Sequence, residues 1–315
     1  TEAAKAGAKT MVIGAVNAGG VLPDHWVDSI VSALDAGLDV ASGLHTPLQS
    51  FAAIEDAAKR NGRNLYNVRL PSGHLDTGKG NKRSGKRLLT VGTDCSVGKK
   101  YTSLAIEKEM RGRGFDADFC ATGQTGIFIS GRGMSVDAVP ADFISGVAEW
   151  ISPENKPTHW DIVEGQGSLF HPSFAGVTLG LLHGSQPDAF VVCHEPTRTK
   201  MRGVEHPIPS IEAVIDLTVR NGQLTNPDIR PVGIAINTAA LTEEDARQCL
   251  DETAARHGLP ACDPMRGGVG ALVDHLAALF NRSSPNHSPS MRKACHFLEI
   301  FYCPAQARVK HRCCW

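Results

Sequence analysis

Apolar residues in the first seventy positions fall into short runs separated by amphipathic stretches. "TMVIG" is a compact apolar run of strand type. Pro23 and Asp24 then open a segment whose Val27, Ile30, Val31 and Leu34 recur at i, i+3, i+4 and i+7, the single stripe of a helix lying on a core. Gly37 stops that helix, because glycine accepts the left-handed geometry of a C-terminus. "LDVAS" is the next strand. Thr46 and Gln49 have the spacing of a capping box around Pro47, which predicts a helix over "TPLQSFAAIEDAAKRNG". "NLYNVRL" supplies a third strand and completes a small βαβαβ unit.

Residues 71–86, "PSGHLDTGKGNKRSGK", are polar, glycine-rich and basic, the character of a linker or mobile loop. Alternation resumes at the strand "RLLTV", which runs into a glycine loop and then a helix to about Arg111. Further strands are predicted at "FDADFCA", "WDIVE", "DAFVVC" and "PVGIAIN", with helices over 141–150, 210–220, 243–257 and 270–280. Strand–helix alternation over this length implies an α/β fold with a parallel sheet covered on both faces. The expected divisions are a domain at 1–72, a linker at 73–86 and a second domain at 87–281. The remainder, 282–315, is rich in Ser, Pro and His, then basic and cysteine-rich without a period; it reads as an irregular or disordered tail with no assigned function. The chain opens on Thr and runs almost at once into a strand, so a truncated start is expected.

Composition narrows the function classes. The chain is 42% hydrophobic and 21% charged with a formal net charge of −1, so no global field draws nucleic acid or an anionic membrane. No apolar run approaches the ~18 residues of a membrane span, and "TEAAKAGAKT" lacks the apolar core of a signal peptide. Nine cysteines are present, none in CxxC spacing, and Cys295, Cys303, Cys313 and Cys314 lie in the tail. That pattern fits a reducing cytoplasm rather than a disulfide scaffold or a zinc site.

The chemistry concentrates in loops that follow strands. "VGTDCSVGKKYTSL" has strand–loop–helix context, so the amides of Gly92, Thr93, Asp94, Cys95, Ser96, Val97 and Gly98 can curl round a phosphate, with Lys99 as a point charge. The loop is one residue longer than the common G-x4-GK form. Lys100 stands where nucleotide hydrolases place the hydroxyl that ligates Mg²⁺, and Thr102 lies two positions further on. Such a loop suits a diphosphate that is held rather than cleaved, as in coenzyme A. Glu164, in "DIVEGQGSLFHP", ends a strand at the carboxyl edge of the sheet, where it could hold a metal or act as a general base. "VVCHEPTRTKMRG" delivers His194, Arg198 and Arg202 to the same edge; two arginines four apart share a face if helical and could grip a carboxylate. "ATGQTGIFISGRG" is read as a turn bringing Gln124 and Thr125 there, and "SGLH" brings His45 from the first domain. His171, His183 and His206 read as ordinary loop histidines.

Together "GTDCSVGKK", "ATGQTGI", "VDAVPADF", "VEGQGSLFHP", "CHEPTRTKMRG" and "DPMRGGVGALVD", with "AGLDVASGLH" before them, resemble the DgcN-type D-glutamate N-acetyltransferase family, formerly a P-loop domain of unknown function, DUF1611. The resemblance spans roughly residues 10 to 280. It implies a Rossmann-like N-terminal domain beside a P-loop NTPase-like C-terminal one, and acetyl transfer from acetyl-CoA to D-glutamate or a similar acidic amino acid. On that reading the 92–102 loop holds the CoA phosphates, Arg198 and Arg202 bind substrate carboxylates, and Glu164 or His194 takes the ammonium proton. Gln124, Thr125 and His45 join the substrate site, and backbone amides near Gly123–Gly126 or Gly165–Gly167 stabilise the oxyanion. No metal, nucleic acid or membrane is required, and a cytoplasmic homo-oligomer is expected. "GTD…VGK" and "VEG" also resemble dethiobiotin synthetase, so a Mg-ATP-dependent ligase or kinase is the alternative, followed by a non-catalytic nucleotide- or CoA-binding protein.

Overall fold

A computed structural model describes residues 2–280 except Val16, Ala18, Ser72 and His74; the tail reading for 282–315, with its four cysteines, lies outside the described residues. The first sheet has three parallel strands in the order β1 (Thr10–Ile13), β2 (Asp39–Ser42) and β3 (Leu65–Asn67). A short helix α1 (Glu2–Lys5) precedes it, and α2 (Val27–Asp35) and α3 (Ala52–Asn61) pack on it. Ile30 and Leu34 of the anticipated stripe are fully buried with Ile54 and Val40, while Val27 and Val31 flank them.

The predicted start of α3 is corrected. Thr46 does not cap it: its hydroxyl accepts from the Leu22 amide at 3.1 Å, and Gln49 accepts from the Asn67 side chain at 2.6 Å. The helix therefore begins at Ala52, after a 3₁₀ turn at Leu48–Ser50. Tertiary partners have claimed the groups that the local motif needs.

The second sheet has six parallel strands in the order β5-β6-β4-β7-β8-β9: β4 (Lys86–Gly92), β5 (Ala117–Cys120), β6 (Trp160–Val163), β7 (Ala189–His194), β8 (Arg230–Ile236) and β9 (Ala261–Cys262). Side chains alternate across it. Leu88 and Val191 face a layer containing α4 (Lys99–Gly112) and α10 (Gly270–Phe280), whereas Leu89, Val91, Phe190 and Val192 face α6 (Ile144–Ile151), α7 (Ala175–Ser185) and α8 (Ile211–Gly222). Both faces are dry, which is why these strands read as unbroken apolar runs. Side-chain caps set two helix starts: Ser210 accepts from the Ala213 amide before α8, and Thr242 from the Asp245 amide before α9 (Glu243–His257).

Two helices fall where turns or no element were read. α5 (Gln124–Ser130) occupies the stretch read as a glycine turn, and α7 carries three glycines. The basic stretch before β4 is anchored rather than loose along its second half. The amides of Lys79 and Gly80 donate to Glu149, and Arg83 donates to the carbonyls of Ser152 and Gly184. Arg87 is wholly buried, its guanidinium spent on the carbonyls of Arg83, Ser84, Ser152 and Pro153.

Candidate active site

β4 lies at the middle of the sheet between β6 and β7, and its carboxyl end is the crevice where open α/β sheets take ligands. Gly92 is in register with Cys193. That pairing sets Thr93 against His194: the Thr93 amide donates to the Cys193 carbonyl at 3.1 Å, and the Thr93 hydroxyl lies 3.0 Å from His194 Nδ1. The loop then turns through Ser96, at φ +56° in the left-handed region, and Gly98 at φ +105°, into α4. A non-glycine residue held there costs on the order of 1 kcal/mol.

Two arginines hold the loop in that shape. Arg198 Nη1 donates to Asp94 Oδ2 at 2.7 Å and to the Cys95 carbonyl at 2.8 Å, its Nη2 reaches the Ser96 carbonyl at 3.4 Å, and its Nε pairs with Glu195. Arg202 donates its amide to Asp94 Oδ2 at 2.7 Å and its guanidinium to the Ser96 hydroxyl. Asp94 is fully buried. Arg198, expected to grip a substrate carboxylate, has its donors on the phosphate loop, and of the two arginines only Arg202 lines the cavity. Nor are the two on one helix face; residues 195–209 form an irregular loop closed by a bridge between Lys200 and Pro207.

That cavity, of about 590 Å³, is lined by loop residues Cys95, Ser96, Gly98, Lys99 and Lys100, by Gln124 and Thr125 at the start of α5, and by Glu164. Lys99 Nζ donates to the Asp94 carbonyl at 2.7 Å, and burial lowers the ammonium's pKa below the usual lysine range. Lys100 extends over the Tyr101 ring, 4.6 Å from its centroid. Val97 is a core residue, and Thr102 turns inward: its hydroxyl back-bonds to the Gly98 carbonyl at 3.1 Å. Thr102, read as a cofactor contact, is buried.

Glu164 is buried at the end of β6, and its Oε2 accepts from the amides of Thr122 and Gly123 at 3.0 and 3.2 Å. Burial pushes its carboxyl up from the ordinary range and outweighs those two amides and the neighbouring Lys100 and Lys99, which pull it down. The close approach depends on glycines: a Cβ at Gly126 would lie 2.4 Å from Glu164 Oε2, and one at Gly165 only 1.6 Å from the Thr90 carbonyl oxygen. Two of the amides expected at an oxyanion are already committed, Gly123 to Glu164 and Gly165 to the Thr90 hydroxyl at 3.0 Å.

His194 sits elsewhere. It faces a second cavity with Ser210, Glu212 and Cys249, and burial lowers its pKa below the usual histidine range. Expected as the alternative proton acceptor, it does not line the cavity that holds Glu164. His171 packs beneath the loop, accepting from the Ser173 amide and donating to the Arg202 carbonyl. With Asp94 and Cys95 it brings ligand-type atoms within 4.8 Å of one another, but both of its nitrogens are taken. His45 reaches across from the first sheet to within 3.9 Å of Asp137, a cavity-lining carboxylate that sequence reasoning missed.

A phosphate loop on a six-stranded parallel sheet, beside a smaller parallel α/β domain, defines a two-domain P-loop protein. The chain belongs to the DUF1611 family. Its Rossmann-like N-terminal domain matches residues 1–71, and its P-loop domain matches residues 74–273. The chain is 53% identical over 276 residues to a D-glutamate N-acetyltransferase of a Pseudoalteromonas species, covering 87% of this chain and 83% of that one. It is 52% identical over 279 residues to a D-glutamate N-acetyltransferase of Tritonibacter scottomollicae, covering 88% and 84%. The crystal structure of a DUF1611 family protein from Anabaena variabilis superposes with a TM-score of 0.81 at 35% identity, covering 88% of this chain and 82% of that one. Among the described residues no helix is long and apolar enough to cross a membrane.

Proposed function

We propose that the protein transfers an acetyl group from acetyl-CoA to the amino group of D-glutamate, using 1–72 and 87–281 as two domains joined through 73–86. The relatives named for that activity are 53% and 52% identical to this chain over the aligned residues. The observation in the site that carries the reading is Lys100: a cation lines the cavity at the position where a phosphoryl-transfer loop needs a hydroxyl. The loop amides, Lys99 and Lys100 would hold the CoA diphosphate, and the half-exposed rings of Tyr101 and Phe174 offer apolar surface along the same cavity.

Acetyl-CoA supplies an activated acyl group. The amine nitrogen forms the new C–N bond, the C–S bond breaks, and the sulfur leaves as the CoA thiol. Glu164 takes the ammonium proton before attack. Its raised pKa makes it a better base than an ordinary carboxylate once ionised. Arg202 is the cation placed to meet an acceptor carboxylate. Incubation with acetyl-CoA and a panel of D- and L-amino acids, read as free thiol, tests the proposal. Thiol release with D-glutamate and without ATP is expected; release only with Mg-ATP would instead mark a ligase or kinase.

A further inference from the structure

The two acidic side chains of the main cavity are held in different ways. Glu164 is buried under backbone amides. Asp137 stands in a 3₁₀ turn, Val136–Ala138, with 36% of its side chain exposed. Its carboxylate is fixed from the other domain. Arg69, just past β3 and only 11% exposed, places Nη2 3.1 Å from Asp137 Oδ2, and His45 Nε2 lies 3.9 Å from the same oxygen. The wall between them is tight. A Cβ at Gly43 would come within 2.8 Å of Gln124 Cγ, and one at Gly20 within 3.3 Å of Arg69 Nη1. The first domain therefore reaches the cavity and orients one of its carboxylates. Nothing in the phosphate-loop chemistry uses that carboxylate.

Resting on the acetyl-transfer reading, we infer that Asp137 is the receptor for the acceptor's ammonium group. Arg69 is its positioning residue, and the first domain thereby completes the acceptor site. The charges support the assignment. With Lys99 and Lys100 on the CoA diphosphate, the cavity offers Arg202 against Asp137 and Glu164. An amino dicarboxylate carries two negative groups and one positive one. Arg202 can meet one of its carboxylates, and its ammonium needs an oriented, accessible carboxylate. Glu164 is buried and committed to two amides, which suits a group that accepts a proton; Asp137 is open to the cavity, which suits one that holds the cation in place. An exposed carboxylate alone would be a solvated surface group. One clamped by a nearly buried arginine from another domain has a fixed direction, the condition for orienting a nucleophile.

The test compares ligands that differ only in the amino group. Asp137→Asn keeps the shape and removes the charge. KM for D-glutamate is expected to rise tenfold or more, with KM for acetyl-CoA unchanged. Inhibition by glutarate, which lacks the amine, should be equal or tighter in the variant. Arg69→Met should move the D-glutamate KM the same way by a smaller factor, and Arg69→Lys should recover part of it. An unchanged D-glutamate KM in Asp137→Asn, or equal weakening of D-glutamate and glutarate, would overturn the assignment and leave Asp137 a domain latch. Calorimetry with D-glutamate and glutarate, without acetyl-CoA, reads the same contrast independently of turnover. If the wild-type protein binds D-glutamate and transfers no acetyl group, the activity fails and the subsite stands; if Asp137→Asn binds D-glutamate as the wild type does, the subsite fails.

Discussion

Arg198 Nη1 lies 2.7 Å from Asp94 Oδ2, and the carboxylate it meets is fully buried at the floor of the phosphate loop. The pair joins the loop after β4 to the loop after β7, which their register already sets side by side. Removing the arginine would leave a buried carboxylate without its counter-ion, a loss of about 3 kcal/mol. Arg198→Met should therefore lower stability in urea denaturation and weaken CoA binding, while the D-glutamate KM moves little. A selective rise in the D-glutamate KM, with CoA affinity intact, would return Arg198 to the acceptor site.

Lys99→Ala should weaken acetyl-CoA binding by about 1.5–3 kcal/mol, the worth of one hydrogen bond to a charged group. Its Nζ sits inside the loop on the Asp94 carbonyl. Calorimetry with CoA checks this, and an equal loss with dephospho-CoA would place the lysine on the diphosphate rather than the 3′-phosphate.

Glu164 should set the acid limb of activity. Its folded pKa is raised by burial, so its ionised, proton-accepting form appears only above the usual glutamate range. Glu164→Gln should abolish most turnover and leave CoA affinity near that of the wild type. The stability linkage has a definite sign. A raised folded pKa favours the folded state below the unfolded pKa, and that advantage disappears as pH rises through the folded pKa. The Tm of wild type minus that of Glu164→Gln should therefore fall between the ordinary glutamate pKa and the raised one. A difference that rises with pH would contradict the burial argument.

Gly126→Ala should damage the same group from the other side. The new methyl would meet Glu164 Oε2 at 2.4 Å, so α5 or the carboxylate must shift. A fall in kcat of tenfold or more is expected, with the fold retained by circular dichroism. Activity equal to wild type would show that the position of Glu164 is not critical.

The parts of this molecule built from neighbours in sequence were legible there. The strand–loop–helix at Leu88–Leu104 follows from an apolar run meeting glycines and a lysine, and α9 and α10 cover the expected ranges 243–257 and 270–280. What failed depends on distant partners. Thr46 has the local form of a helix cap, but Leu22 takes its hydroxyl. α5 and α7 are hidden by glycines that serve close packing, as at Gly126 against Glu164 and Gly184, where a Cβ would meet the Ser145 carbonyl at 2.2 Å. Arg198 and Arg202 look alike along the chain and both meet Asp94; only the folded course of the 195–209 loop puts Arg202, and not Arg198, on the cavity wall. Asp137 was invisible because Arg69 and His45, which give it direction, belong to the other sheet's loops.

The most direct measurement is the fate of labelled acetyl-CoA in EDTA-treated protein without nucleotide. Mass spectrometry should find N-acetyl-D-glutamate carrying the label, equimolar with released CoA thiol and unaffected by added Mg²⁺, because Lys100 occupies the position of the metal-binding hydroxyl. No labelled product under these conditions, with turnover appearing only when Mg-ATP is supplied, would contradict the acetyltransferase account.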